Sequence, residues 1–205
     1  MEAPNGHLGD TRDISVFGLF PPVSYFQFAA NRGEISLFTN LELSHYCISG
    51  ANQIEILRIP LLHESKNKTP INWQISYQHK WVREHQNALR TAYGKSPFFE
   101  FYDYKLFEIL DQQITSFPLL QETLIKQILP WLGLDELNVI SSDLEKSRHY
   151  FRSLLSTPTK EYSQVFETKF GHRKNLSIID LLFNIGPECA AYFRQKSLNY
   201  QQFST

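Results

Sequence analysis

The residues best suited to chemistry lie in "WVREHQNALRTAYGKSPFFEFYDY", Trp81 to Tyr104. At 100° per residue, Trp81, His85, Ala88, Leu89 and Ala92 share one face of a helix, while Arg83, Asn87 and Arg90 point elsewhere. An imidazole on that apolar face is desolvated, which lowers its pKa and keeps it neutral near pH 7, as a general base requires. The same placement suits a core histidine whose ring nitrogens are satisfied locally, and only its partners decide between the two readings of His85. Past the helix, six rings fall in the ten positions from Phe98 to Phe107. Rings at this density build cores, and their faces also stack on sugars or nucleobases. The hydroxyls of Tyr93, Tyr102 and Tyr104 are the groups that would reach a ligand.

Other chemistries find less support. His79 and His85 are six residues apart, about 240° around a helix, so they cannot form the adjacent pair of an H-E-x-x-H metal site. His45, His63, His149 and His172 are scattered and no Cys-x-x-Cys occurs, so neither a metal site nor a protein-bound cofactor is expected. Cys189 falls near the start of a helix opened by Pro187, where the dipole favours a thiolate, but Glu188 opposes this and a lone cysteine also serves as a small buried apolar residue. The phosphate loop, the dinucleotide fingerprint and the nucleophile elbow are all absent from the sequence.

The elements that must position these residues are legible in outline. "ISVFGLFP", Ile14 to Pro21, reads as a buried strand stopped by Pro21-Pro22, and Ser24 to Arg32 as a helix capped by Ser24 and ended by Gly33. "EISLFTNLE", "HYCISG" and "QIEILRIPLL" read as extended, with Gly50 to Asn52 a hairpin turn whose glycine and asparagine tolerate positive φ. "HESKNKTP" is a polar loop and "INWQISY" a further short strand. The helix from Trp81 stops at Gly94. A second runs from Pro118 to Leu132 and stops at Gly133, "LNVISSD" suits a strand, and Asp143 to Ser153 is helix-compatible. Ser177 with Asp180 three residues on is a capping-box signature before Ile178, Leu181, Leu182 and Ile185; Gly186 ends that helix and Pro187 opens another. The expected fold is α/β: a mixed β-sheet built mainly from the N-terminal half, covered by helices mainly from the C-terminal half. It forms one domain over residues 14–196, between a flexible leader (1–13) and a C-terminal tail (197–205).

Composition bounds the setting. With 42% hydrophobic and 20% charged residues the 205-residue chain is a globule, neither disordered nor membrane-spanning. Twenty basic and twenty-one acidic side chains nearly cancel, so nucleic acid is not an expected partner. No apolar run reaches the ~18 residues of a membrane helix, and the first twenty residues do not form a secretory signal. Two cysteines suit a reducing compartment, so the cytoplasm is expected.

"NWQISYQHKWVREHQNALRTAYGKSPFFEFY", with "FPPVSYF" before it and "YSQVFETKFGHRKNLSIIDLLFNIGPECAAYF" after it, closely resembles the WbqC-like family of bacterial proteins, over roughly Ser15 to Phe193. Its matching positions are Pro22, Tyr25, Phe26, Gly50 to Asn52, Trp81, His85, Tyr93, Pro97, Phe98, Asp180, Asn184 and Gly186. The resemblance implies an acyl or aminoacyl (glycine-type) transferase that acts on an amino sugar nucleotide in surface polysaccharide (O-antigen-like) biosynthesis. Its partners would be that nucleotide and an activated acyl donor. A non-catalytic sugar- or nucleotide-binding scaffold protein of the same pathway is the alternative. In the transferase, His85 would take the amine proton, Asn52, Tyr25 or Arg83 would donate to the oxyanion, and Trp81, Tyr93, Phe98 and Tyr102 would line the sugar site. Relatives carry an Arg-Asn-Arg stretch where this chain has Leu43, Ser44 and His45. That departure implies a missing bidentate clamp for phosphate or carboxylate, and with it altered specificity or no catalysis.

Overall fold

The computed structural model describes residues 18–38, 44–67, 70–142 and 159–194. The expected leader, residues 14–17 of the first strand, Leu43, the stretch from 143 to 153 and the tail lie outside these ranges.

The chain is α/β, as its pattern predicts. What remains of the first expected strand is not one: Gly18 to Phe20 is a bend, with Leu19 and Phe20 fully buried. Gly18 approaches the His45 backbone so closely that a Cβ would meet its carbonyl, and the two prolines that follow offer no N–H to a ladder. Helix α1 (Val23–Arg32) starts from the extended backbone of Pro22, so Ser24 lies inside the helix instead of capping it. Gly33, at φ 75°, takes the left-handed conformation that ends it, and its N–H returns to the Ala29 carbonyl.

Four strands lie among the described residues. β1 (Glu34–Phe38) pairs in parallel with β4 (Asn138–Ser142), while β2 (His45–Ser49) and β3 (Ile54–Arg58) form an antiparallel hairpin. Among the described residues these make two separate two-stranded sheets. The hairpin turn lies at Gly50 to Asn52 as expected, but neither residue takes a positive φ. "INWQISY" is not a full strand. A 3-10 turn occupies Pro70–Asn72, and only Gln74 and Ile75 bridge, to Ser116 and Leu61. This short piece bonds on both sides, Leu62 N–H to the Gln74 carbonyl at 2.8 Å and Ile75 N–H to the Thr115 carbonyl at 2.7 Å.

The helical half begins with α2 (Trp81–Tyr93), which buries Trp81, His85, Leu89 and Ala92 on one side. The ring-dense run, for which the spacing predicts no element, is helix α3 (Phe99–Asp111). It turns Phe99, Leu106, Phe107 and Leu110 inward, while Phe101 and Tyr104 stay 68% and 59% exposed. α4 (Phe117–Ile128) continues as a 3-10 turn to Leu132 and stops at Gly133, φ 65°. Short helix α5 (Glu167–Phe170) precedes α6 (Ile178–Ile185), in which every residue from Ile178 to Asn184 is buried. Six of its eight residues are apolar, as enclosure demands, and the two polar ones, Asp180 and Asn184, are hydrogen-bonded inside. A 3-10 turn (Gly186–Glu188) then leads to α7 (Cys189–Arg194).

Candidate functional site

Helix α2 runs beside β2 and places two polar side chains against it, His85 and Tyr93. His85 Nε2 lies 3.2 Å from the Arg58 carbonyl of β3, and its Nδ1 lies 3.1 Å from the Tyr46 hydroxyl of β2. A carbonyl only accepts, so Nε2 carries the proton and Nδ1 accepts from Tyr46. The Trp81 and Tyr46 rings meet the imidazole edge-on, with centroids 5.0 and 5.4 Å away. Burial lowers its pKa to about 4, with the bond to Arg58 acting the other way. The ring is neutral and both nitrogens are engaged, the geometry of a locally satisfied core histidine. No lone pair is left for a reacting proton.

Two turns further on, the Tyr93 hydroxyl accepts from the Ser49 N–H at 3.1 Å and donates to Asp180 Oδ1 at 2.8 Å. Asp180 of α6 also accepts at Oδ2 from the Tyr162 hydroxyl at 2.7 Å and from Gln164 Nε2 at 3.1 Å. Burial raises this carboxyl to about 6, and its three donors and the His172 charge pull it back down. Burial also pushes both phenols well above the usual range, and the Asp180 charge adds to this. The capping box of the sequence is therefore not formed. Ser177 precedes α6 as its N-cap, but its hydroxyl is buried without a partner, and the Asp180 carboxylate serves the tyrosines.

The hairpin turn is held from the other side by the segment before α6. Arg173 donates to Ser49 Oγ and to the Gly50 carbonyl, both at 3.0 Å, while its guanidinium stacks over Phe170 at 4.0 Å. Lys169 Nζ donates to the Ala51 carbonyl at 3.1 Å, and two bonds between Gln164 and the Arg173 backbone fix the loop itself. Asn52 in the same turn is exposed. Tyr93 and the turn that carries Asn52 are thus joined, as are Trp81 and His85. Tyr25 is buried in α1, edge-on to Phe26, and Arg83 is exposed on α2. Tyr102 packs on Trp131 with centroids 4.9 Å apart. Phe98 donates its N–H to the Phe183 carbonyl, and its ring fills the space above Gly186, where a Cβ would collide with it. His45, in the departed stretch, faces Arg58 across the hairpin, so a guanidinium borders that position from β3.

A concavity of about 430 Å³ lies elsewhere, lined among others by Pro60, Leu62, His63, Glu64, Gln78 and His79. The Leu61–Ile75 bridge, with Ser76 N–H bonded to the Pro60 carbonyl at 2.8 Å, draws these two stretches together. None of the residues expected at the site lines it. Among the described residues no group of three or more histidine, cysteine or acidic side chains is placed to hold a metal. Cys189 is fully buried, and burial pushes its thiol up to about 12, so its nucleophile reading fails.

Fold and site together define a small α/β protein built around a buried tyrosine–carboxylate hub. The chain belongs to the WbqC-like protein family, which matches residues 18–157, more than half of its length. The match stops short of the C-terminal block that holds Asp180. Membership is consistent with a role in polysaccharide-related biosynthesis. No curated protein and no solved structure matches the chain. Among the described residues no helix is long and apolar enough to cross a membrane.

Proposed function

We propose that this chain serves surface-polysaccharide biosynthesis by binding an amino sugar nucleotide, without acid–base chemistry at His85. One observation carries the choice: both imidazole nitrogens of His85 are bonded internally, to Tyr46 and to Arg58. A base must reach the proton it removes, and this one is occupied. A cytoplasmic setting goes with the reading, which two free cysteines suit.

Acyl or aminoacyl transfer is the second reading, favoured by the two exposed imidazoles, His63 and His79, at one open concavity. In that reaction the sugar amine attacks the activated acyl carbon, the new C–N bond forms as the bond to the leaving group breaks, and an imidazole takes the amine proton. Titration calorimetry of the full chain with UDP-glucosamine tests the first reading. Saturable heat, little changed in His85→Gln, is expected, and no heat would reject it. Mass spectrometry after incubation with acetyl-coenzyme A and UDP-glucosamine tests the second, for which N-acetylated product is required.

A further inference from the structure

The concavity between residues 60–64 and 76–79 belongs to neither the His85 contacts nor the Asp180 hub. Its size, about 430 Å³, falls in the lower part of the ~300–1,000 Å³ range of small-molecule sites and suits one saccharide unit. Its walls differ in character. Pro60, Leu61 and Leu62 offer an aliphatic surface on which the C–H face of a pyranose can lie, while Glu64, Gln78 and the two imidazoles offer acceptors and donors. Among the described residues no lysine or arginine lines it, so none of them supplies the charge that recognises a phosphate. A carboxylate that shares the concavity with two imidazoles and an amide instead suits an ammonium or amine with neighbouring hydroxyls.

We infer that this concavity is the subsite for the amine-bearing sugar. Glu64 pairs with the nitrogen, His63, His79 and Gln78 bond the hydroxyls, and any nucleotide of the ligand lies outside. The assignment rests on the amino-sugar reading above and adds to it the place and the selectivity. It also explains why two histidines sixteen positions apart in sequence end at one hollow: the Leu61–Ile75 bridge brings them there.

Glucosamine and glucose, titrated separately into the full chain and followed by saturation-transfer NMR, test it. Glu64, His63 and His79 are exposed, so their replacement leaves the core intact, which circular dichroism verifies. Wild type should bind glucosamine in preference to glucose. Glu64→Gln should erase that preference and weaken glucosamine about tenfold, the loss expected when a charged hydrogen bond becomes neutral. His79→Ala should weaken both sugars. Unchanged glucosamine binding in Glu64→Gln and His79→Ala overturns the subsite. If UDP-glucosamine still binds those variants as it binds wild type, the subsite is wrong and the amino-sugar reading survives. If wild type binds neither ligand, both fall.

Discussion

Asp180→Asn is expected to expose a pH dependence of stability that the parent protein conceals. Asp180 and His85 are both buried, and burial disfavours the charged form of each. The acid has its pKa raised from 3.8 to about 6. Between those values the folded state keeps a proton that the unfolded state has released, so this group's stabilisation is greatest below about pH 4 and falls as the pH rises to 6. The imidazole has its pKa lowered from 6.5 to about 4. There the unfolded state binds the proton, and stability is lost as the pH falls through the same interval. Each change spans a little over two pH units, and at about 1.4 kcal/mol per tenfold change in proton affinity each amounts to about 3 kcal/mol. The two act in opposite directions over nearly the same range and offset one another. Asparagine keeps an oxygen for Tyr93 but does not titrate. Urea unfolding followed by circular dichroism, from about pH 4 to about pH 6.5, should give a variant-minus-parent stability that rises by about 3 kcal/mol. His85→Gln should give the reverse, a difference that falls by a similar amount. Subtracting the parent removes the contribution of the remaining acids. A flat difference curve for Asp180→Asn would refute the reasoning.

Tyr93→Phe leaves both Asp180 Oδ1 and the Ser49 N–H without a buried partner and should cost about 2–4 kcal/mol in urea unfolding; a loss under about 1 kcal/mol would deny the hub its structural role. Gly186→Ala places a Cβ against the Phe98 ring at a positive φ and should cost about 1–3 kcal/mol. Adding Phe98→Ala should recover part of that cost, and simple additivity in the double-mutant cycle would contradict the contact. Burial raises the Cys47 and Cys189 thiols to about 11 and 12, so neither should react with a disulfide reagent near neutral pH in the folded protein, whereas both should after unfolding.

Elements set by local pattern were legible in the sequence. The α2 face from Trp81 to Ala92 and the β2–β3 hairpin both follow from spacing within one segment. Helix α3 was not, because Phe101 and Tyr104 carry rings on the solvent side and blur the contrast on which an amphipathic reading depends. At α6 the start was right and the bonding wrong. Asp180 faces Tyr93 and Tyr162, and nothing in the spacing of Ser177 and Asp180 indicates tyrosines from distant segments. The same limit hid the concavity, since His63 and His79 meet only through a bridge between residues 61 and 75. That the Tyr93 hydroxyl must find a partner if buried follows from its chemistry alone. The identity of that partner is a tertiary fact.

The parallel pairing of β1 with β4 bears on how the chain reaches this state. Glu34 must find Asn138, so the ladder cannot close until α2, α3 and α4 have all been synthesised and folded back. Closing so long a loop carries an entropic cost before any contact rewards it, and such pairings are slow to form. During translation the hairpin and the three helices can settle locally, while β1 waits with an unsatisfied edge. Of all the elements described, it is the one most dependent on shelter until the ribosome has delivered its mate.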